Sequence, residues 1–331
     1  MSRQFRAGDL LQGQPLAIAR AISAVENGSP DASQIVRLIQ PHLGNAFSIG
    51  VTGPPGCGKS TLISAMVSEL SGRGKRIAII AVDPTSPISG GAVLGDRVRM
   101  AAHSRNPNVF IRSLATNGHL GGLTRMTSTV IDILDAGGMD AVIIETVGTG
   151  QSEIDIADMA DVRLVICPPG LGDEMQAIKA GILEIADILL VNKSDLPGAE
   201  ATALQLENML HDSSGGRQRR VMRTSASTGS GVADLVNAIL GRVETLAASR
   251  SHAKSGASIR AKRMLATHAA TLVERYVRNL EGSGIDAICS RLQSGEATLE
   301  SAAHEILGIF PAIGGMVAPK GSAEERPANG A

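Results

Sequence analysis

Seven short aliphatic runs alternate with helical stretches over residues 45–249. In chain order they are FSIGVT, RIAIIAVD, VFIRSL, AVIIET, VRLVICP, ILLVNK and VMRTSA. Near-continuous apolar runs of this length are typical of strands that are buried on both faces, and strands that alternate with helices form parallel sheets. The pattern predicts an α/β domain in which helices cover both faces of a doubly wound, mostly parallel sheet.

Helical periodicity flanks this domain on both sides. Apolar positions in Pro15–Glu26 and Asp31–His42 predict an N-terminal helical extension over residues 1–44. The segment RSHAKSGAS predicts a hinge into a C-terminal helical arm over residues 250–310, and the polar tail 311–331 predicts disorder. An apolar stripe on the arm predicts a homodimer; its members are Leu265, Leu272, Val273 and Val277.

Composition narrows the class of protein. The chain of 331 residues is 43% hydrophobic, but it has only four Phe, one Tyr and no Trp. It therefore lacks the aromatic platforms on which single-stranded nucleic acids stack, and its net charge of −1 does not favour a polyanionic partner. Three scattered cysteines and no signal-like or membrane-spanning apolar run predict a reduced, cytoplasmic protein without a membrane partner.

A glycine-rich segment between a predicted strand and a predicted helix carries the first chemistry. GPPGCGKS matches the pattern G-x-x-x-x-G-K-[ST] in full. Such a loop cradles a β-phosphate with its backbone N–H groups, while Lys59 would bridge the β- and γ-phosphates and Ser60 would ligate Mg²⁺. The segment predicts a P-loop nucleoside triphosphate site whose phosphate contacts are Gly53, Pro54, Pro55, Gly56, Cys57, Gly58, Lys59, Ser60, Thr61 and Gly148.

The segment NKSD, at the end of a later strand, predicts guanine as the base. The Asp195 carboxylate can accept from guanine N1–H and the 2-amino group, whereas adenine offers neither donor, and such sites discriminate by about 10⁴ or more. Asn192 would brace the loop and contact O6 and N7, and a backbone N–H of the turn TSAS would meet O6. The predicted guanine contacts are Asn192, Lys193, Asp195, Ser225, Ala226 and Ser227.

Acidic residues predict a Mg²⁺ site formed by Ser60, Asp83, Asp96 and Glu145. Asp83 and Glu145 end the second and fourth runs, and Asp96 lies in the segment VDPTSPISGGAVLGDRVRM that follows the second run. Two alternatives remain open, since Asp96 could be the acid at a helix N-terminus and Asp83 could be structural. In ETVGTGQSE, Glu145 stands where nucleotide switches often have Asp. Gly148 is followed by Thr149 rather than by a water-orienting Gln.

Several segments together resemble the MeaB/ArgK (MMAA-type) family of metallochaperone-like P-loop GTPases. The resemblance spans about residues 45–250 and is carried by GPPGCGKST, VDPTSPISGGAVLGDRVRM, HLGGLTRMT, ETVGTGQSEIDIADMADV, PPGLGDEMQAIKAGILEIADILLVNKSD and the Ser-Ala turn. It implies a GTP-hydrolysing chaperone of an adenosylcobalamin-dependent acyl-CoA mutase, with methylmalonyl-CoA mutase as the family default. A cobalamin adenosyltransferase is a second candidate partner. Because the chain has no DxHxxG pattern, cobalamin is expected only through the partner.

The resemblance also implies three mobile segments, Asp83–Arg99, Glu145–Ile156 and Pro168–Lys179, the last of which faces the mutase. Its expected partner-facing residues are Asp173, Glu174, Gln176 and Lys179. Lys59, Glu145, Asp96 and Lys179 are the expected catalytic residues, although Lys179 could instead lie on a solvated helix face. Without a built-in Gln, hydrolysis is expected to be slow until the partner stimulates it, by analogy with arginine fingers worth about 10³–10⁵ in rate.

Two other functions fit the same fold. A nickel-type metal-delivery GTPase would need closely spaced Cys and His, whereas the seven histidines here are scattered and Cys167 has no neighbouring His. A transport-linked kinase would need a second substrate pocket and normally an adenine site, which NKSD does not favour. Both are weaker hypotheses than a mutase-associated GTPase.

Overall fold

The structure is a computed structural model that describes residues 7–83, 103, 105–115, 120–146, 160–170, 186–212, 220–251, 265–266, 269, 273, 276–277 and 283–309. The chain divides into two compact units, residues 1–267 and residues 268–331. The first unit contains the sheet and the candidate site. Of the helices in the described residues, none has the length and apolar character that crossing a membrane requires.

A single seven-stranded sheet organises the first unit. Its strands are β1 (Phe47–Thr52), β2 (Ile77–Asp83), β3 (Val109–Ala115), β4 (Ala141–Thr146), β5 (Val162–Cys167), β6 (Ile188–Val191) and β7 (Arg220–Arg223). Their order across the sheet is β3-β2-β4-β1-β5-β6-β7, and each pairing is parallel. Each strand overlaps one of the seven predicted aliphatic runs, so the predicted α/β fold with a doubly wound parallel sheet is confirmed.

Helices connect and cover these strands. They are α1 (Ala7–Leu11), α2 (Pro15–Glu26), α3 (Ala32–Ile39) with a following 3₁₀ turn (Gln40–His42), α4 (Lys59–Gly72), α5 (Leu120–Ala136), α6 (Ala199–Asp212), α7 (Val232–Ser251), α8 (Ser283–Gln293) and α9 (Leu299–Ile309). The first three cover the stretch where the sequence predicted an N-terminal helical extension.

Strand side chains alternate between two aliphatic layers. Ile143 of β4 packs with α4 and α7 on one face of the sheet, whereas its neighbour Ile144 packs with α1, α2, α3 and α5 on the other. A third cluster joins α6 to β5 and β6. The N-terminal helices therefore complete the core on one face of the sheet, because they bury apolar side chains of β2 and β4 that would otherwise meet water.

A buried carboxylate fixes the entrance to the central strand. Asp135, at the end of α5, accepts hydrogen bonds from the backbone N–H groups of Gly44, Asn45 and Ala46, at 2.6, 3.0 and 2.8 Å. These bonds fix the backbone of the connection that leads into the start of β1. Since β1 leads directly into the glycine-rich segment, they help to set where that segment emerges from the sheet.

In the second unit, helices α8 and α9 pack on each other. Ile288 and Ala302 are buried, and Arg291 forms an ion pair with Glu305.

Of the apolar stripe predicted to mediate dimerisation, Leu265 is 68% exposed and Leu272 lies outside the described residues. The predicted disordered tail also lies outside them, and the homodimer stays a prediction.

Candidate functional site

The predicted site residues that the structure describes gather at the carboxyl edge of the parallel sheet. The loops that follow β1, β6 and β7 meet there beside the end of β4, and open α/β sheets bind ligands at this edge. Residues 53–58 form the loop after β1, and α4 begins at Lys59. This arrangement directs a helix N-terminus, with its unpaired N–H groups and positive dipole, toward the mouth of the loop.

Two glycines of the phosphate loop are required by close approaches. A Cβ on Gly53 would lie 2.4 Å from the carbonyl oxygen of Ile166, and a Cβ on Gly58 would lie 2.5 Å from Nδ2 of Asn192. Gly58 also has a φ of 93°, which side-chain-bearing residues rarely adopt. The loop can therefore lie against β5 and the NKSD segment only because these two positions lack side chains.

The lysine of the loop is bonded to the loop itself. Nζ of Lys59 donates to the carbonyl oxygens of Gly53 and Pro54, at 2.7 and 3.2 Å. The ammonium group is thus held over the mouth of the loop. An incoming phosphate would have to replace these carbonyl oxygens as the acceptor.

Ser60 and Glu145 meet at the carboxyl edge of the central strands. The parallel register of β1 and β4 pairs Val51 with Glu145, and Oγ of Ser60 donates to Oε1 of Glu145 at 2.8 Å. Glu145 is only 3% exposed. A hydroxyl and a carboxylate side by side form the kind of oxygen donor set that suits Mg²⁺, which commonly takes one or two carboxylates together with substrate phosphates and water.

Of the remaining predicted metal and switch residues, the structure describes only Asp83. Asp83 ends β2 and lies two residues beyond the position paired with Glu145, nearer the carboxyl edge. The other six predicted residues lie outside the described residues: Asp96, Gly148, Asp173, Glu174, Gln176 and Lys179. Within the described part of the chain, no group of three or more His, Cys, Asp or Glu side chains is arranged to hold a metal ion.

The NKSD segment is tied to the phosphate loop by one buried amide. Asn192 is 1% exposed, and its Nδ2 donates to the carbonyl oxygen of Cys57 at 2.9 Å. Its Oδ1 accepts from Oγ1 of Thr224 and from the N–H of Ala226, both at 3.2 Å. Asn192 therefore joins three loops of the site, in agreement with the bracing role predicted for it.

The backbone N–H groups predicted to contact the base already have acceptors in the structure. The N–H of Ala226 already donates to Asn192, and the N–H of Ser225 donates to the carbonyl oxygen of Ser230 at 3.0 Å. Neither N–H group is therefore unpaired. Guanine O6 could accept from the N–H of Ala226 only by sharing that donor with Asn192 or by replacing Asn192 as its acceptor. Asn192 keeps one Nδ2 hydrogen beyond the bond to Cys57, so its side chain can still donate to a base acceptor such as N7.

Asp195 is the carboxylate that the sequence predicts to contact the base. It lies in solvent, and the hydroxyl of Ser225 donates to it and holds the pKa of this carboxyl below its usual range, with smaller contributions from its own backbone N–H and from Lys193. Ser225 Oγ lies 3.2 Å from Ser227 Oγ, so the turn provides a short chain of hydroxyls. Lys193 adopts a φ of 58°, which turns the segment sharply between Asn192 and Asp195.

Sequence reasoning missed one contributor to the site. Thr224 is buried and holds Oδ1 of Asn192, and its position just before the Ser-Ala turn was the available signal. Cys57, a predicted phosphate contact, has its side chain buried in the core, where burial raises the pKa of its thiol. Only the backbone of Cys57 can serve the phosphate loop.

Comparison with known proteins decides the family. A family model described as "Methylmalonyl Co-A mutase-associated GTPase MeaB" matches residues 18–287 of the chain. The chain belongs to the MeaB family. The resemblance predicted from its motifs is therefore confirmed, and the match extends from α2 through the nucleotide-site segments into α8.

Two of three relatives of this MeaB-family chain are named as GTPases. It is 37% identical to GTPase ArgK of Escherichia coli (strain K12) over 252 residues, 72% of this chain and 76% of that protein. It is 38% identical to the mouse protein "Methylmalonic aciduria type A homolog, mitochondrial" over 246 residues, 68% of this chain and 59% of that protein. A Pyrococcus abyssi protein named as a GTPase is 47% identical over 230 residues, 68% of this chain and 71% of that protein.

A solved structure agrees with the fold. The crystal structure of LAO/AO transport system kinase superposes with a TM-score of 0.66 and 25% sequence identity, covering 92% of this chain and 96% of that one. The MeaB-family chain is a P-loop NTPase by fold and a GTP hydrolase by family.

Proposed function

We propose that this MeaB-family GTPase is a chaperone of an adenosylcobalamin-dependent acyl-CoA mutase, methylmalonyl-CoA mutase or a relative. GTP binding and hydrolysis govern the loading of the cofactor and protect the mutase, and cobalamin is held by the partner. The observation that carries the proposal is the family match over residues 18–287, whose description names association with this class of mutase.

Guanine selection in this proposal depends on Asp195. Its ionised carboxylate accepts from N1–H and the 2-amino group of guanine, and the hydrogen bond from the Ser225 hydroxyl lowers the pKa of this carboxyl. Asn192 holds the base segment against the phosphate loop through its bond to Cys57. An adenine in the same position would leave the carboxylate without a donor, which is why a site of this kind discriminates strongly.

Ser60 and Glu145 would hold Mg²⁺ together with the nucleotide phosphates. The ion would supply positive charge that offsets the negative charge of the phosphates. Lys59 supplies a second positive charge once its ammonium group exchanges the carbonyls of Gly53 and Pro54 for phosphate oxygens. The chain thereby binds and orients the triphosphate with groups of its own.

Turnover in the free protein is slow in this proposal. The residue after Gly148 is Thr149, so the sequence lacks the Gln that orients water at this place in many GTPases. The mutase is proposed to stimulate hydrolysis by rearranging the site, with Lys179 as the candidate charge that completes it. GTP hydrolysis then acts as a timer for cofactor handling.

We further propose that the chain acts as a homodimer. Leu265 is 68% exposed and begins the apolar stripe of the C-terminal arm. Light scattering of the full chain is expected to give twice the monomer mass, and Leu265→Glu should shift the mass toward the monomer. A wild-type monomer at all concentrations would contradict this part of the proposal.

Cofactor loading tests the chaperone role directly. The purified chain is mixed with an apo-mutase and adenosylcobalamin in the presence of GTP, GDP or a non-hydrolysable GTP analogue. The experiment is repeated with the methylmalonyl-, isobutyryl-, hydroxyisobutyryl- and ethylmalonyl-CoA mutases. One of these is expected to form a complex and to acquire cofactor at a rate that depends on the nucleotide. The matched control is Asp195→Asn, which should lose the response to GTP. If the chain forms a complex with none of the four mutases, the proposal is overturned.

A further inference from the structure

A second cleft lies at the amino edge of the sheet, opposite the nucleotide site. It encloses about 230 Å³ and is lined by residues at the starts of β6 and β7 and along α7. We call it the basal cleft and define it by Asp187, Arg220, Asn237, Gly241, Arg242 and Thr245. The nucleotide site is reached from the other ends of the same strands, because Asn192 follows β6 whereas Asp187 precedes it.

A buried ion triad forms one wall of the basal cleft. The Asp187 side chain is 3% exposed, and its two oxygens accept from Nε of Arg163 at 3.0 Å and from Nη2 of Arg242 at 3.2 Å. Two guanidinium groups therefore neutralise a single carboxylate. The triad carries an excess of one positive charge, and part of that charge faces the cleft through Arg242.

The cleft contains further donors that the described residues do not satisfy. Nε of Arg242 is buried and has no hydrogen-bond acceptor among them. Arg220 is exposed and forms no ion pair with another described residue. Arg73 donates to Oδ1 of Asn237 at 2.8 Å, but it is itself paired with Glu69, so it adds no net charge. Among the described residues, Arg220 therefore provides a cationic group without an ion pair in the cleft, beside the partly exposed guanidinium group of Arg242.

A glycine in the middle of α7 keeps the cleft open. Gly241 lies well inside the helix Val232–Ser251, where glycine is less favourable than alanine. A Cβ at this position would meet no atom within 4 Å. The glycine is therefore not required by close packing within the described residues. Its effect is to leave space in front of Arg242 that a larger side chain would fill.

We propose that the basal cleft binds a small molecule bearing an oxyanion, a carboxylate or a phosphate, held by Arg220 and Arg242. Guanidinium groups bind such anions through paired, charge-assisted hydrogen bonds. The volume suits a small anion or the anionic end of a longer molecule, since pockets for drug-sized ligands are larger. The site is separate from the phosphate loop, so it is independent of the proposed chaperone role.

Calorimetry on the full chain tests the proposal, with malonate and inorganic phosphate as separate probes. The protein is first saturated with Mg²⁺ and GDP so that the phosphate loop is occupied. Binding of at least one probe is expected, and the tighter probe identifies the preferred anion. Arg220→Gln and Arg242→Gln should each weaken binding about 10- to 100-fold, the effect of losing a charge-assisted hydrogen bond. Gly241→Leu should abolish it by filling the cleft.

The matched control is Arg37→Gln on α3, an exposed arginine outside the cleft, which should bind the probes as the wild type does. Because Arg242 pairs with a buried carboxylate, Arg220→Gln provides a charge change that leaves the triad intact. Retained GTP hydrolysis shows that each variant is folded. The proposal is overturned if neither probe binds at millimolar concentration, or if binding survives Arg220→Gln and Gly241→Leu.

Discussion

The base-binding and phosphate-binding corners of the nucleotide site differ in what their polar groups now contact. In the base corner, Asn192 is bonded to Cys57, Thr224 and Ala226, while Asp195 points into solvent. In the phosphate corner, Lys59 donates to its own loop and Ser60 donates to Glu145. The brace of the base corner can persist when nucleotide binds, whereas the bonds of the phosphate corner must be exchanged.

This difference suggests that nucleotide selection and the timing of hydrolysis depend on different parts of the site. A preorganised corner loses little free energy on binding, because its side chains are already ordered. The phosphate corner gives up existing hydrogen bonds, each worth about 0.5–1.5 kcal/mol net, before it gains new ones. The base corner is therefore expected to determine which nucleotide binds, and the phosphate corner to determine when it is hydrolysed.

The largest effect is expected from Asp195→Asn. Removing the carboxylate eliminates two charge-assisted hydrogen bonds to guanine and should weaken GDP binding about 10²- to 10⁴-fold. The new amide can donate to the 2-oxo group of xanthine, so XDP should bind the variant better than GDP does. Calorimetry with both nucleotides measures this. An unchanged preference for GDP would show that Asp195 does not contact the base.

A smaller effect, on metal dependence, is expected from Glu145→Gln. The glutamine can still accept from Ser60, but it lacks the charge that favours Mg²⁺. The Mg²⁺ concentration for half-maximal hydrolysis should rise about 10- to 100-fold, the range found when groups around a metal are altered. GDP binding without Mg²⁺ serves as the control and should change little. A Mg²⁺ requirement equal to that of the wild type would remove Glu145 from the metal site.

Thr224→Val tests the brace of the base corner. Valine has nearly the same shape but cannot donate to Oδ1 of Asn192, so the buried amide oxygen keeps only the bond from Ala226. The free energy of unfolding should fall by about 1–2 kcal/mol, and GDP affinity should fall about 5- to 10-fold. Thr228→Val in the same turn is the control and should have a smaller effect on both. Equal effects of the two variants would contradict the bracing role.

The smallest effect is a shift in pH dependence. The Ser225 hydroxyl lowers the pKa of Asp195, so guanine binding should persist as the pH falls through the ordinary range of an aspartate and weaken only below it. In Ser225→Ala this donor is lost, the pKa of Asp195 returns toward its usual value, and the weakening should begin at a higher pH. GDP affinity measured from neutral to acidic pH compares the two proteins. Superimposable profiles would remove Ser225 as the cause.

The fold was largely predictable from the sequence, but the strand order was not. Parallel strands that are buried on both faces are apolar on both, so the central strands appeared as near-continuous aliphatic runs, whereas the edge strand β7 is partly exposed. The order β3-β2-β4-β1-β5-β6-β7 depends on contacts between distant segments, and no local pattern of residues encodes it. The same limit applies to α2 and α3, whose periodicity predicted helices but not that they bury β2 and β4.

For the nucleotide site as well, the sequence predicted some features and not others. The motifs placed Lys59, Ser60 and Asp195, because phosphate cradles and guanine recognition require fixed residue types at fixed spacing. They did not reveal that Lys59 binds its own loop or that Thr224 holds Asn192, since both contacts depend on the three-dimensional closure of loops. Lys179 and Asp96 remain predictions, because they lie outside the described residues.

The most direct test of the account is the single-turnover rate of GTP hydrolysis by the full chain, measured with and without its partner mutase. A site that selects its nucleotide alone but needs a partner to complete the phosphate corner should hydrolyse GTP at least about 10-fold faster in the complex, and stimulation by a group supplied in trans can reach about 10³–10⁵. Equal rates with and without the mutase would contradict the account.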